Sequence, residues 1–401
     1  MRNNFKRILA FLAVAHLAAC SDTVTNAATN AGADGQSTAD STLGTDDALV
    51  DAATDLVDAV AGTDAVAGTD AVEGTDAAVG TDAGAGTDAV SVDVAPDSGS
   101  GPDVASGSLA DPNKNGPYSV AELDDKAKIA ASGDTVAVHC VYPTAGPSAG
   151  PYPVITIAHG MQLSPDKYYE YAKRLASFGY VAITVDFPTD LFLGNDNPKE
   201  AQDIAGALDW AASKGGVLFG KVDEKNAGAL GHSLGGKLSF LATTIDPRFK
   251  AVLGLDPVDG GGPLGCQLPK CVDVTDSIGK LAIPSGFVGE TTDASGGMQP
   301  CAPKLNNFET FYAAVPAQSF KVTVNGANHM SFLDNQTGCM ACGFCNKATA
   351  DQAKVTDLTR SYVVAFFERH LRGLTGYDDY LTGATAQARY VTTGLATIET
   401  K

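Results

Sequence analysis

The stretch Ala227-Gly228-Ala229-Leu230-Gly231-His232-Ser233-Leu234-Gly235-Gly236 carries a short apolar run directly into a glycine-rich turn that contains one serine. An apolar strand followed by the pattern Gly-x-Ser-x-Gly is typical of a chain that turns sharply from a strand into a helix, with the serine at the tip. Glycines flanking the serine allow this turn, because a side chain there would clash with the backbone. The stretch therefore predicts a nucleophile elbow with Ser233 as the attacking hydroxyl. A βα turn without catalytic meaning is the alternative.

A second loop is expected beside this turn. Val154-Ile155-Thr156-Ile157-Ala158 is a β-branched run that ends in His159-Gly160-Met161, as a buried strand does when it delivers a loop to the edge of a sheet. In hydrolases with a serine elbow, one backbone N–H of such a loop and the N–H that follows the serine bind the oxyanion. This pattern nominates the backbone N–H groups of Met161 and Leu234. The alternative is a tight turn with a structural His159.

A serine hydroxyl needs an imidazole to take its proton, and the α/β-hydrolase chain order places that histidine last. Two histidines follow far enough downstream, His329 and His370. His370 lies in a helical pattern near the last turn, where a histidine typically interacts with the helix C-terminus. His329 follows the alternating run 320–324 in a loop, where function is concentrated, so we predict His329 as the base.

The imidazole in turn needs a carboxylate that fixes its tautomer. Asp256 follows the apolar run 251–255, which places it at the carboxyl edge of the predicted sheet. The next predicted strand ends near Glu290 and Asp293, and Asp259 lies close to the first site. We predict Asp256 as the acid, and Asp293, Glu290 and Asp259 remain alternatives. A purely structural role for Asp256, as an aspartate that caps a turn, is also compatible with this pattern.

Several separated blocks, taken together, resemble the chlorophyllase branch of the α/β-hydrolases. The blocks are Gly231-His232-Ser233-Leu234-Gly235-Gly236, Leu253-Gly254-Leu255-Asp256-Pro257-Val258, Cys301-Ala302-Pro303-Lys304 through Phe311-Tyr312, and His329-Met330-Ser331-Phe332-Leu333-Asp334. The resemblance covers about residues 115–375 and implies an α/β-hydrolase fold with Ser233, Asp256 and His329 as nucleophile, acid and base. The spacing from Ser233 to Asp256 also resembles platelet-activating-factor acetylhydrolases and related bacterial esterases. Leu234 stands where plant chlorophyllases usually carry arginine, so the resemblance supports ester hydrolysis more than chlorophyll as substrate.

Strand and helix patterns alternate through the second part of the chain. A strand pair near 135–142 and the run at 154 are followed by a helix at about 166–178, a strand at 181–185 and a helix at 198–212, which carries Trp210 as a predicted core residue. Such alternation predicts a mostly parallel central sheet with helices on both faces. Residues 111–401 have a length that suits one α/β domain. The tail from 377 to 401 has no clear assignment.

The first residues resemble a bacterial lipoprotein signal. Residues 1–19 combine basic residues with the apolar stretch 8–15, and Leu17-Ala18-Ala19-Cys20 resembles a lipobox. The apolar stretch is too short to span a bilayer comfortably, and acyl chains on Cys20 would give stable anchoring instead. We expect a protein of the bacterial cell envelope, lipid-anchored at Cys20 and facing the periplasm or the surface. Ser21 hints at the outer membrane, whereas an ordinary secretory peptide is the alternative.

Residues 20–110 are predicted to be a disordered acidic tether. Gly-Thr-Asp recurs every six residues from Gly62 to Gly86, and residues 21–110 hold 17 acidic and no basic residues. With almost no aromatic side chains this segment cannot bury a core. The six-residue repeat lacks the large apolar residue that each coil of a β-helix needs, which disfavours that fold. The tether holds most of the net charge of −20, so the remaining domain is mildly acidic. Nothing basic is clustered, which disfavours a nucleic-acid partner.

Seven cysteines remain after Cys20, and an exported protein is expected to form disulfides. Cys266 and Cys271 would close a short loop. Bridging within the cluster Cys339-Cys342-Cys345 would hold the loop that follows His329. A metal or iron–sulfur site is the alternative for that cluster, but no histidine or fourth nearby cysteine completes it, so we predict no metal.

These patterns together predict a serine carboxylic-ester hydrolase that works through an acyl-enzyme, acts on a small or lipid-like ester as a monomer, and needs no cofactor. A hydrolase of amides or polyesters is the alternative within enzymes. A non-catalytic surface binding lipoprotein on a hydrolase scaffold is the alternative outside them.

Overall fold

A nine-stranded sheet forms the centre of the domain that the structure describes. The structure is a computed structural model and describes residues 109–189, 195–260, 269–296, 300–316 and 318–401. The predictions for the signal segment, Cys20, Cys266 and nearly all of the tether lie outside these residues. The strands are β1 Ser119–Lys128, β2 Thr135–Ala145, β3 Tyr152–Ala158, β4 Val181–Asp186, β5 Val222–His232, β6 Phe249–Leu255, β7 Ser285–Glu290, β8 Ser319–Val324 and β9 Ala396–Thr400.

The sheet is mostly parallel. Its strand order is β1-β2-β4-β3-β5-β6-β7-β8-β9. The run from β4 to β8 is parallel throughout, whereas β1 and β2 at one edge and β9 at the other are antiparallel to their neighbours. This arrangement confirms the predicted α/β-hydrolase fold. Since parallel strands end at the same edge, loops after β3, β5, β6, β7 and β8 meet there.

Helices connect the parallel strands. The α-helices are α1 Tyr169–Ser177, α2 Asn197–Ser213, α3 Leu234–Ile245, α4 Thr275–Ile278, α5 Phe308–Ala314, α6 Gln352–Leu371, α7 Asp378–Leu381 and α8 Ala384–Ala386, with a short 3₁₀ helix at His329–Phe332. In the part of the chain that the structure describes, no helix is both long and apolar enough to cross a membrane.

Each face of the sheet buries its own hydrophobic core. On β3, Val154 and Ala158 belong to one core and Ile155 and Ile157 to the other, as expected when successive side chains of a strand point to opposite faces. Residues of α2 and α3 contribute to the first core, which includes Trp210, and residues of α1 and α6 to the second. Both faces are therefore covered, which explains the continuous apolar runs of the central strands.

The two edges of the sheet differ most from the sequence pattern. β1 carries a run of charged residues, Glu122 to Lys128, that gives little strand signal, yet it pairs along its whole length with β2. Edge strands often carry such charges because one side has no partner strand. The unassigned tail contains a turn of π-helix at Gln387–Val391 and ends in β9 on the opposite edge.

Two disulfides lie beside the histidine loop. Cys339 pairs with Cys342, within the predicted cluster, but the third member, Cys345, pairs with Cys301 instead. These cysteines are therefore not free thiolates, which argues against the metal alternative. Cys271 is also disulfide-bonded, while its predicted partner Cys266 lies outside the described residues. Cys140 is a buried free thiol.

Candidate active site

Ser233 stands on a sharp turn between β5 and α3. Its backbone has φ 57° and ψ −125°, a left-handed conformation that a side chain other than glycine rarely adopts. Its N–H donates to the carbonyl of Leu255 at 3.1 Å, which ties the turn to the end of β6. A Cβ on Gly231 would collide with the carbonyl of Gly235, and a Cβ on Gly235 with that of Ala158. The glycines of the motif are thus required by backbone contacts.

His329 lies between Ser233 and Asp256. Its Nε2 is 2.8 Å from Oγ of Ser233, and its Nδ1 is 2.6 Å from Oδ2 of Asp256. Both His329 and Asp256 are buried, with side chains 3% and 0% exposed. His329 is 96 positions from Ser233 and 73 positions from Asp256 in the sequence. The fold nevertheless brings the three predicted residues into one hydrogen-bonded line. The other candidate base, His370, packs its ring against Phe366 on the same helix.

Asp256 begins the loop after β6 and, like Ser233, has a positive φ, 42°. Its N–H donates to the carbonyl of Val288 on β7 at 2.7 Å, which holds this conformation. Burial raises the pKa of Asp256, and the hydrogen bond from His329 opposes that shift. Oδ1 of Asp256 has no hydrogen-bond partner among the described residues, so His329 is the main partner of this carboxylate.

The negative charge of Asp256 changes the pKa of His329. Burial alone would lower the pKa of the imidazole, but its hydrogen bond to Asp256 and the nearby carboxylates outweigh burial and raise the pKa above its usual value. An imidazole with a raised pKa accepts a proton more readily. The site is therefore arranged to take a proton from the Ser233 hydroxyl.

The alternative acids have other roles. Oδ2 of Asp293 accepts the backbone N–H of His329 at 2.8 Å, and Oδ1 accepts the N–H of Asn346 at 2.7 Å. Glu290 accepts the N–H of Asp293, and burial raises the pKa of Glu290 to about 7. Asp259 forms a buried ion pair with Lys237 at 2.7 Å. None of the three carboxylates is in hydrogen-bond contact with the His329 ring; Asp293 instead fixes the backbone of the histidine loop.

The predicted oxyanion loop lies against the elbow. A Cβ on Gly160 would come within 3.3 Å of Cβ of Ser233. The structure records no hydrogen bond from the backbone N–H of Met161 or Leu234 to any described residue. His159, at the start of the loop, is buried and stacks on Phe187 with 4.1 Å between ring centroids.

Three features of the site have no signal in the sequence: Tyr168, the role of Asp293 as a backbone acceptor, and Asn346. Tyr168 is buried, and its hydroxyl lies 2.8 Å from Nδ1 of His232. Tyr168 lies where an amphipathic helix is predicted to begin, and a tyrosine there is indistinguishable in sequence from an ordinary core residue. The sequence therefore gives no signal for this contact. Asn346 follows Cys345, whose disulfide brings it close to Asp293.

A mostly parallel sheet whose strand ends bring together a serine on an elbow, a histidine and an aspartate defines an α/β-hydrolase. The chlorophyllase family model matches residues 111–391, most of the chain. The protein belongs to the chlorophyllase family.

Curated relatives include both plant and bacterial proteins. The chain is 28% identical to chlorophyllase-1 of Arabidopsis thaliana over 56% of this chain and 74% of that protein. It is 28% identical to a bis(hydroxyethyl) terephthalate hydrolase of Streptomyces coelicolor over 54% of this chain and 62% of that protein. It is 24% identical to the cutinase est1 of Thermobifida alba, over 56% of this chain and 67% of that protein.

Replacing Gly231 by alanine tests the backbone contacts of the elbow. The new Cβ would meet the Gly235 carbonyl, so we expect Gly231→Ala to lower the free energy of unfolding by about 1–3 kcal/mol, as overpacking does. Gly215→Ala is the matched control, because a Cβ there meets nothing within 4 Å. Urea unfolding of both variants measures the difference, and equal midpoints would contradict this account of the glycines.

Proposed function

We propose that the protein is a serine carboxylic-ester hydrolase, in which Ser233 is the nucleophile, His329 the general base and Asp256 the orienting acid. The observation that carries this proposal is the pair of hydrogen bonds at His329, one on each ring nitrogen. With Asp256 on Nδ1, the proton of the neutral ring sits there, and Nε2 presents its lone pair to the serine. This is the tautomer that general-base catalysis requires.

In the first half of the reaction, Ser233 Oγ attacks the ester carbon while Nε2 of His329 takes the hydroxyl proton. The positive charge that develops on the imidazole is stabilised by the buried Asp256 carboxylate. The negative charge on the former carbonyl oxygen is stabilised by the N–H groups of Met161 and Leu234, typically by about 3–4 kcal/mol for one such donor. His329 then donates its proton to the departing alkoxide, which leaves an acyl-enzyme.

In the second half, water replaces the alcohol. His329 takes a proton from the water, the resulting hydroxide attacks the acyl carbon, and Ser233 leaves with the proton that His329 returns to it. The products are a carboxylic acid and an alcohol. Nε2 of His329 serves every proton transfer, so one histidine acts as base and acid throughout the cycle.

Removing the nucleophile gives the direct test of the proposed activity. We expect Ser233→Ala to lower kcat for p-nitrophenyl butyrate by about 10⁴-fold or more, because alanine has no hydroxyl to form the acyl-enzyme. Ser361→Ala is the control, since this serine is buried and its hydroxyl has no hydrogen-bond partner among the described residues. Turnover that survives in Ser233→Ala would contradict the assignment.

The pH dependence of the reaction reports the state of His329. The base works only when neutral, so kcat/KM should fall as the pH falls through a pKa that Asp256 holds above its usual value. In Asp256→Asn the carboxylate is lost, and we expect the acid limb to move to lower pH and the plateau to fall by about 10⁴-fold.

The matched control is Asp203→Asn, a buried aspartate whose carboxylate hydrogen-bonds Ser132. Profiles of kcat/KM measured between about pH 4 and 9 for the wild type and both variants show whether the acid limb moves only in Asp256→Asn. An acid limb that stays in place in Asp256→Asn would contradict the role of Asp256.

A polyester or a related aromatic diester is the second candidate substrate. Similarity to a cutinase and to a bis(hydroxyethyl) terephthalate hydrolase supports it, while similarity to chlorophyllases supports ester hydrolysis in general. All of these are ester hydrolases, so ester rather than amide hydrolysis is the reaction that the similarities share. Comparing kcat/KM for bis(hydroxyethyl) terephthalate, p-nitrophenyl esters of increasing chain length and a peptide anilide separates these substrates. If none of them reacts, a non-catalytic binding role is favoured.

The proposed location is the bacterial cell envelope, with a lipid on Cys20 and the acidic repeat as a tether between membrane and enzyme. The lipobox-like sequence before Cys20 supports this proposal. We expect Cys20→Ala, expressed in a bacterial host, to lose incorporation of labelled palmitate and to move from the membrane fraction to the soluble fraction. Unchanged fractionation and labelling would contradict lipid anchoring.

A further inference from the structure

Two buried side chains outside the proposed triad connect the loops that carry it. Tyr168 lies in the short 3₁₀ helix before α1, and His232 immediately precedes Ser233; their side chains are 1% and 0% exposed. The Tyr168 hydroxyl is 2.8 Å from Nδ1 of His232 and accepts the backbone N–H of Gly160 at 3.2 Å. Nε2 of His232 is 2.9 Å from the carbonyl oxygen of His329.

The chemistry of the groups fixes the direction of every one of these hydrogen bonds. A carbonyl oxygen can only accept, so Nε2 of His232 carries a hydrogen and donates it to His329. A neutral ring then has a lone pair on Nδ1, which accepts the Tyr168 O–H. The phenol oxygen still has a lone pair for the N–H of Gly160. Donation therefore runs from Gly160 through Tyr168 and His232 to the backbone of His329.

Electrostatics agree with this single arrangement. Burial, together with the neighbouring His329, holds the pKa of His232 well below its usual range, and burial raises that of Tyr168. Neither group changes its protonation state near neutral pH, so the direction of the bonds is stable. The rings of His232 and His329 lie 4.7 Å apart, centroid to centroid, and a neutral His232 does not repel the imidazolium that forms on His329 during proposed turnover.

We propose that Tyr168 and His232 form a positioning relay that sets the backbone of His329 and the Gly160–Met161 loop relative to Ser233. This inference rests on the proposed function, because it assigns a role in that reaction to residues that touch neither Ser233 Oγ nor the ester. His329 is then held at both of its backbone groups, with Asp293 on its N–H and His232 on its carbonyl.

The relay also explains how the oxyanion loop is oriented. The N–H of Gly160 donates to Tyr168 and is therefore occupied, whereas the following N–H, that of Met161, makes no recorded hydrogen bond to a described residue and stays available to an oxyanion. Gly160 packs directly on the relay, since a Cβ there would lie 3.2 Å from Nδ1 of His232. One set of hydrogen bonds thus aligns the base and one oxyanion donor at the same time, and a displacement of about 1 Å can cost about 100-fold in rate.

Removing the Tyr168 hydroxyl is the cleanest test, because phenylalanine keeps the ring in the core. Tyr362→Phe is the matched control: its hydroxyl is equally buried and donates to a carbonyl, that of Leu381, on the C-terminal part of the chain. Tyr168→Phe loses two buried hydrogen bonds and Tyr362→Phe loses one, so the melting temperature should fall in both variants and further in Tyr168→Phe. We expect only Tyr168→Phe to lower kcat for p-nitrophenyl butyrate, by about tenfold or more, with KM within about twofold.

Equal kcat values for Tyr168→Phe and Tyr362→Phe would overturn the relay and leave the proposed function intact. A wild-type protein without turnover would overturn the proposed function and the relay with it. The ¹⁵N NMR signals of the His232 ring give an independent readout. The relay requires a neutral ring with its proton on Nε2 throughout the active pH range, and a proton on Nδ1 or a titration in that range would overturn it.

Discussion

The hydrogen bond between Nδ1 of His329 and the buried Asp256 carboxylate is the constraint on which the site depends. A carboxylate with an exposure of 0% is unfavourable unless it is paired, and the imidazole is its main partner. The fold provides this pairing by placing β5, β6, β7 and β8 side by side in one parallel sheet. Ser233, Asp256 and His329 follow three of those strands and so reach the same edge. Their meeting is a property of the topology rather than of local sequence.

Around this bond, backbone groups carry much of the geometry. Ser233 and Asp256 both adopt positive φ values, which are unfavourable for residues with side chains and persist because hydrogen bonds to neighbouring strands hold them. His329 is fixed through its N–H and its carbonyl as well as its ring. The Cys301–Cys345 disulfide lies beside this region and holds the segment that supplies a second donor to Asp293.

The features that could be predicted from the sequence are those with a periodic pattern or a local motif. The parallel core of the sheet, the elbow and the order of serine, acid and histidine were visible because glycine spacing and apolar runs have local causes. The sequence favours Asp256 as the acid but does not exclude Asp259, Glu290 or Asp293, since these carboxylates all lie near strand ends and their directions depend on tertiary packing. The Cys301–Cys345 pairing and the contact of Tyr168 with His232 join segments 44 and 64 residues apart, respectively, so nothing local indicates them.

The proposed reaction requires the Ser233 hydroxyl to be more nucleophilic than that of an ordinary serine. Incubating the purified protein with a fluorophosphonate and mapping the adduct by peptide mass spectrometry measures this most directly, because the reagent reacts with a serine that a neighbouring base activates. If His329 activates Ser233, a single adduct forms on Ser233, at least about tenfold more slowly when His329 is replaced by glutamine. An unmodified Ser233, or labelling that is unaffected by that replacement, would contradict it.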